Sequence, residues 1–112
     1  MLPHHATNSS INVDHVFHAL GDKTRRSIVQ SLETRPQSVS TLAATLGITL
    51  TAVGQHLQVL QHSGLVLTRK TGRVRQCQLN PAGFQTLEDW AHFHRVTWEE
   101  RLDRLGEVLD QD

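Results

Sequence analysis

Up to Gly64 the apolar residues of this 112-residue chain recur every three or four positions. Directly after it the period becomes that of short strands, and at Pro81 the helical period resumes. Such a sequence folds as a set of helices interrupted by one hairpin. In the first helical part, Val13, Val16, Phe17 and Leu20 form one stripe that Gly21 stops. Asp22 is placed to cap a second helix over about 23–34, with Ile28, Val29 and Leu32 inward and Pro36 beyond its end. Ser38 caps a third, short helix that buries Val39, Leu42, Ala43 and Leu46. Gly47 supplies the left-handed residue that ends it. Thr49 caps a fourth, with Val53, Leu57 and Leu60 on its core side. Two short helices joined by Gly47-Ile48-Thr49 make a helix-turn-helix.

The hairpin is expected from strands over 65–70 and 74–79, turning at Thr71-Gly72. Asn80-Pro81 then opens a last helix over about 81–110, with proline at the first position, where its missing N–H does no harm. Phe84, Leu87, Ala91, His94, Trp98, Leu102, Leu105 and Leu109 recur along it every three or four residues. A helix of that length carries more apolar surface than one small domain covers, so a second copy of the chain is the expected cover. The fold class is mainly α with a β-hairpin wing: a winged helix-turn-helix that dimerises through its terminal helices. Residues 1–10, polar and without period, read as a disordered tail, and 11–112 as a single domain that includes the C-terminal dimerisation helix.

Charge narrows the function. The formal net charge is zero, yet from Thr34 to Leu87 there is no Asp or Glu, while Arg35, Arg69, Lys70, Arg73 and Arg75 give +5. Residues 88–112 then carry eight acids against three arginines, a net −5. An acid-free stretch suits a surface facing phosphates, because each carboxylate there would repel the polyanion; chance clustering in a neutral protein is the plain alternative. No apolar run approaches the length of a membrane span, the single cysteine excludes an internal disulfide, and the start lacks the parts of a signal peptide. A soluble, cytoplasmic protein with no membrane partner is the expectation. An enzyme finds little support: Cys77 has no activating context, and no Gly-rich phosphate loop or nucleophile elbow is present.

Several segments together resemble the ArsR-like (ArsR/SmtB) winged-helix repressors. Leu20-Gly21-Asp22-Lys23-Thr24-Arg25-Arg26-Ser27-Ile28 is similar to the opening of that family's second helix, with Lys23 where proline is usual. Ser38 to Ala43 followed by Ala52 to Leu60 is similar to its helix-turn-helix, and Ser63-Gly64-Leu65-Val66 to its entry into the wing. Trp90 to Leu109 is similar to the subgroup with a long C-terminal helix, whose members commonly lack metal ligands. The resemblance implies a homodimer through the first and last helices and repression from a pseudopalindromic operator. Three positions depart from the family: Gly54 in the recognition helix, Cys77 in the wing and Gln58.

The residues expected at double-stranded DNA are Thr49, Thr51, Gln55, His56, Gln58, Lys70, Arg73 and Arg75. Gln55 is the leading base reader, since its amide suits adenine in the major groove, with Thr51 beside it for a phosphate or a thymine methyl. A solvated polar face is the bland reading of both. His56 either touches the DNA backbone or is a partly buried histidine under the hairpin. Lys70 and Arg73 suit phosphates or the adjacent minor groove. Arg25 and Arg26 are read as structural, with Asp22 and Glu33 as possible partners.

For the dimer interface the expected residues are Val13, Phe17, Leu87, Ala91, His94, Trp98, Leu102 and Leu105. No cofactor and no metal is expected. Ser38, Val39 and Ser40 stand where thiolate-using relatives place Cys-x-Cys, and His15 with His18 leaves a zinc site short of ligands. A metal- or thiol-responsive repressor of the same fold and a winged-helix protein-interaction module are the alternatives. The effector, if one exists, is not legible.

Overall fold

The computed structural model describes residues 11–110; the tail expected over 1–10 lies outside the described residues. Five helices and three strands follow in the order α1 (Val13–Leu20), α2 (Lys23–Leu32), β1 (Gln37–Ser38), α3 (Val39–Leu46), α4 (Leu50–His62), β2 (Val66–Thr71), β3 (Val74–Leu79) and α5 (Pro81–Asp110). The first four helix starts each have a local chemical cause. The side chains of Asn12, Asp22, Ser38 and Thr49 accept the backbone N–H groups of Asp14, Arg25, Thr41 and Ala52 at 2.8, 2.9, 3.1 and 3.0 Å. Gly47, with φ of 68°, closes α3, and α4 follows after Ile48 and Thr49.

The expected boundaries need three corrections. Helix α2 ends at Leu32, not Thr34, because the Thr34 hydroxyl donates to the Ser31 carbonyl and Pro36 holds the chain extended beyond it. Strand β2 begins at Val66 and reaches Thr71, which pairs with Val74, so the hairpin turns on Gly72-Arg73. The left-handed φ of 62° falls on Gly72, at the first central position, where this kind of turn needs glycine. The two-residue strand β1, which periodicity is too short to show, pairs antiparallel with β3 and makes a three-stranded sheet of order β1-β3-β2.

One core joins these elements. Val16 and Ala19 of α1, Ile28, Val29 and Leu32 of α2, Leu42 of α3, Val53, Leu57 and Leu60 of α4, and Leu65, Val66 and Cys77 of the hairpin region are all buried. Helix α5 joins it only at its start, where Gly83 is buried and Phe84 and Leu87 pack against the cluster. The rest of this 30-residue helix, about 45 Å at 1.5 Å per residue, runs past the core. The radius of gyration is accordingly 18.8 Å, against about 13 Å for a compact chain of this length.

Candidate nucleic-acid interface

Helix α4 is held from three sides. Val53, Leu57 and Leu60 anchor it in the core, the Thr49 cap fixes its start, and near its end the Gln61 amide donates to the Thr68 hydroxyl of β2 at 2.8 Å. Its fourth side is open, and Thr51, Gln55 and Gln58 are all exposed along it. Thr49 is exposed too, but its hydroxyl oxygen is taken up by the Ala52 N–H.

The hairpin stands beside that open side. Lys70 and Arg75 are cross-strand partners on the same sheet face as Thr68 and Cys77, the face that meets α4. Arg73 sits in the turn, and Arg69 lies on the opposite face. All four cations are exposed. A mostly apolar groove of about 380 Å³ separates α4 from the wing, lined among others by Leu50, Gly54, Arg73, Val74 and Arg75.

His56 does not belong to this surface. It is half-buried, but its partner is not the hairpin: Nδ1 lies 3.9 Å from Asp22 Oδ2, at the cap of α2. The Arg25 backbone N–H, and behind it the charges of Arg25 and His56, hold the Asp22 carboxyl below its ordinary value against an opposing desolvation. Arg25 and Arg26 are structural, through carbonyls in place of the expected carboxylates. Arg25 Nε and Nη2 donate to the Ala19 and His18 carbonyls at 2.8 and 2.9 Å, and Arg26 Nη1 donates to that of Leu20 at 2.7 Å, closing the end of α1. Cys77 is buried in the middle of the sheet, and that burial raises its thiol above the ordinary pKa, with Arg75 partly opposing. Among the described residues no three His, Cys, Asp or Glu side chains form a group that could hold a metal ion.

A second exposed surface runs along α1 and α5. Phe17 meets Trp90 edge-on at 5.0 Å between ring centroids, and Trp90 in turn lies against His94 at 4.3 Å with the two rings tilted by 42°. Beyond them Phe93, Trp98, Leu102, Leu105, Val108 and Leu109 are exposed, Phe93 by 64% and Trp98 by 62%. Leu87 and Val13 are half-buried; Leu87 packs on the protomer's own core. The sequence reading missed Trp90, Phe93 and Val108. The signal available was the i, i+4, i+8 series Trp90, His94, Trp98.

A helix-turn-helix domain family model matches residues 20–69. The HTH-type transcriptional regulator Rv2034 of Mycobacterium tuberculosis is 37% identical over 100 residues, covering 88% of this chain and 90% of that protein. The ArsR-like transcriptional regulator from Rhodococcus sp. RHA1 superposes with a TM-score of 0.82 at 30% identity, over 89% of this chain and 92% of its own. The chain belongs to the ArsR-like family of helix-turn-helix transcriptional regulators. A further neighbour is the homodimeric winged helix-turn-helix DNA-binding domain Mb0332 of Mycobacterium bovis, at 28% identity and a TM-score of 0.60, over 82% of each chain. In this regulator α3 and α4 are therefore the helix-turn-helix, and the β2-β3 hairpin is the wing. Among the described residues no helix is long and apolar enough to cross a membrane.

Proposed function

We propose that this regulator is a cytoplasmic homodimeric repressor that binds double-stranded DNA at a pseudopalindromic site. The observation that carries the reading is one surface: the polar side of α4, flanked by Lys70, Arg73 and Arg75, in a stretch of 54 residues without a single carboxylate side chain. Helix α4 enters the major groove, where Gln55 and Thr51 face base edges and Gln58 and the wing cations meet phosphates. Thr49 contributes by fixing the start of α4, and His56 by fixing its distance from α2. The homodimeric state of the Mycobacterium bovis neighbour and the exposed apolar surface of Phe17, Trp90, Phe93, Trp98, Leu102 and Leu105 support dimerisation through α1 and α5. Two recognition helices related by a two-fold axis fit half-sites about one helical turn, roughly 34 Å, apart.

Selection of duplexes from a random pool by the full-length protein tests the reading. The expected product is a two-fold related sequence bound by two chains. Failure to enrich any sequence, with no affinity for unselected duplex at low salt, would overturn it and favour a protein-interaction module.

A further inference from the structure

His15 stands in the first turn of α1, where spacing alone pairs it with His18 on the same helix. The fold pairs it elsewhere. His62, the last residue of α4, brings its ring to 4.6 Å from that of His15 between centroids, with the ring planes tilted by 40°. Both residues are exposed, so a solute reaches the rings without opening the core. Their backbones, by contrast, are held on both sides. Val16, next to His15, is fully buried, and the His15 N–H donates to the Asn12 carbonyl at 3.0 Å. Beside His62, Ser63 is buried and its hydroxyl donates to the Leu60 carbonyl at 2.8 Å. Two imidazoles from separate helices are thus set side by side on fixed supports, and only their own side-chain torsions remain free.

We propose that His15 and His62 form a binding site for one divalent ion of the copper(II) or nickel(II) kind, which clips the start of α1 to the end of α4. Two imidazoles bound to one ion at about 2.1 Å and at about a right angle have ring centroids about 4.5 Å apart, so the observed 4.6 Å is a chelating separation. The class of ion follows from the number of donors. Among the described residues no third His, Cys, Asp or Glu side chain joins the pair, which leaves a tetrahedral zinc site short of ligands. Copper(II) and nickel(II) take nitrogen and oxygen donors in tetragonal geometry, and water fills the positions that the protein leaves open. The site uses none of the residues assigned to DNA, and its test is independent of that reading.

Calorimetric titration of the untagged full-length protein with nickel(II) tests the proposal. One ion should bind per chain. His15→Ala and His62→Ala, both at exposed positions, should each weaken binding at least about tenfold, because even a group that only supports a metal ligand is worth that much. His18→Ala and the double variant His4→Ala/His5→Ala should bind as the wild type does. A second measurement separates this site from binding by the chain at large. The two histidines meet only in the folded protein, so nickel(II) should raise the urea midpoint of the wild type and leave that of His15→Ala unchanged. The proposal is overturned if the wild type shows no saturable nickel binding, which would make the ring contact one of packing only. It is equally overturned if His15→Ala or His62→Ala keeps the wild-type affinity, or if the His4→Ala/His5→Ala variant loses it.

Discussion

Alanine at two helical glycines, Gly54 and Gly83, should change stability in opposite directions. In a helix interior glycine costs about 0.8–1 kcal/mol relative to alanine, because its backbone loses more freedom on folding. At Gly54 that gain comes with no steric cost, since nothing lies within 4 Å of the added Cβ. Gly83 is different. It is buried in the first turn of α5, its N–H donates to the Gly64 carbonyl at 2.9 Å, and an added Cβ would fall 2.7 Å from the Gly64 carbonyl carbon and 2.9 Å from the Leu65 nitrogen. Those are backbone atoms of the segment that joins α4 to β2, so no rotamer change relieves the contact. Overpacking of this kind costs about 1–3 kcal/mol, and here it also strains the hydrogen bond that seats α5; set against the propensity gain, a net loss of about 2 kcal/mol is expected. Urea unfolding followed by circular dichroism at one fixed protein concentration reads both effects, the fixed concentration being required for an associating protein. Gly54→Ala should raise the midpoint and Gly83→Ala lower it. A Gly83→Ala protein as stable as the wild type would refute the close approach of α5 to the α4–β2 junction.

Arg73→Ala should flatten the dependence of log K on log salt by roughly 1 to 2 units per dimer, with similar loss for all sequences, as titrations at several salt concentrations would show; an unchanged slope removes the wing from the interface. Leu102→Asp places a carboxylate on the exposed stripe of α5 and should raise the dimer dissociation constant about thirtyfold, equivalent to about 2 kcal/mol, with operator binding lost in parallel. Sedimentation showing the wild type already monomeric at micromolar concentration would contradict that assignment. Asp22 has a depressed pKa in the folded state, so its contribution is fully present above the ordinary carboxylate value of about 3.9 and is lost as pH falls through the folded value. Asp22→Asn, which keeps a capping oxygen, should therefore show a smaller loss of urea midpoint in that acid window than the wild type; equal losses would remove Asp22 from the acid response.

The parts of the fold that were legible are those whose cause is local. Asp22, Ser38, Thr49 and Asn80 each cap within three residues of their own position, and Gly47 and Gly72 take the backbone conformations their turns demand. What was not legible depends on partners distant in sequence. Strand β1 exists only because Gln37 and Ser38 meet Cys77 and Gln76, and two residues carry no period of their own. His56 is aimed at Asp22 by the crossing of α4 over α2, which its neighbours Gln55 and Leu57 do not reveal. On α5 the apolar and aromatic residues occupy more than one helical row, and a row through Leu87 and Ala91 fits as well as one through Trp90 and Phe93. The contact of Trp90 with Phe17 distinguishes them.

These constraints bear on how a signal could reach the DNA-facing surface. Helix α4 is pinned by three core side chains, a cap, the His56–Asp22 contact and the Gln61–Thr68 bond, so Thr51, Gln55 and Gln58 are presented by a rigid element. Moving them within one protomer would cost several of these contacts at once. By contrast α5 has no buried residue beyond Gly83, and its long exposed stripe meets the protomer chiefly through α1. In the proposed dimer, then, the compliant degree of freedom is the angle between two rigid heads about the α1–α5 surface, and the half-site spacing is sensitive to that angle. A ligand that prefers one angle over another would change operator affinity by that preference alone, without altering a single contact inside the helix-turn-helix.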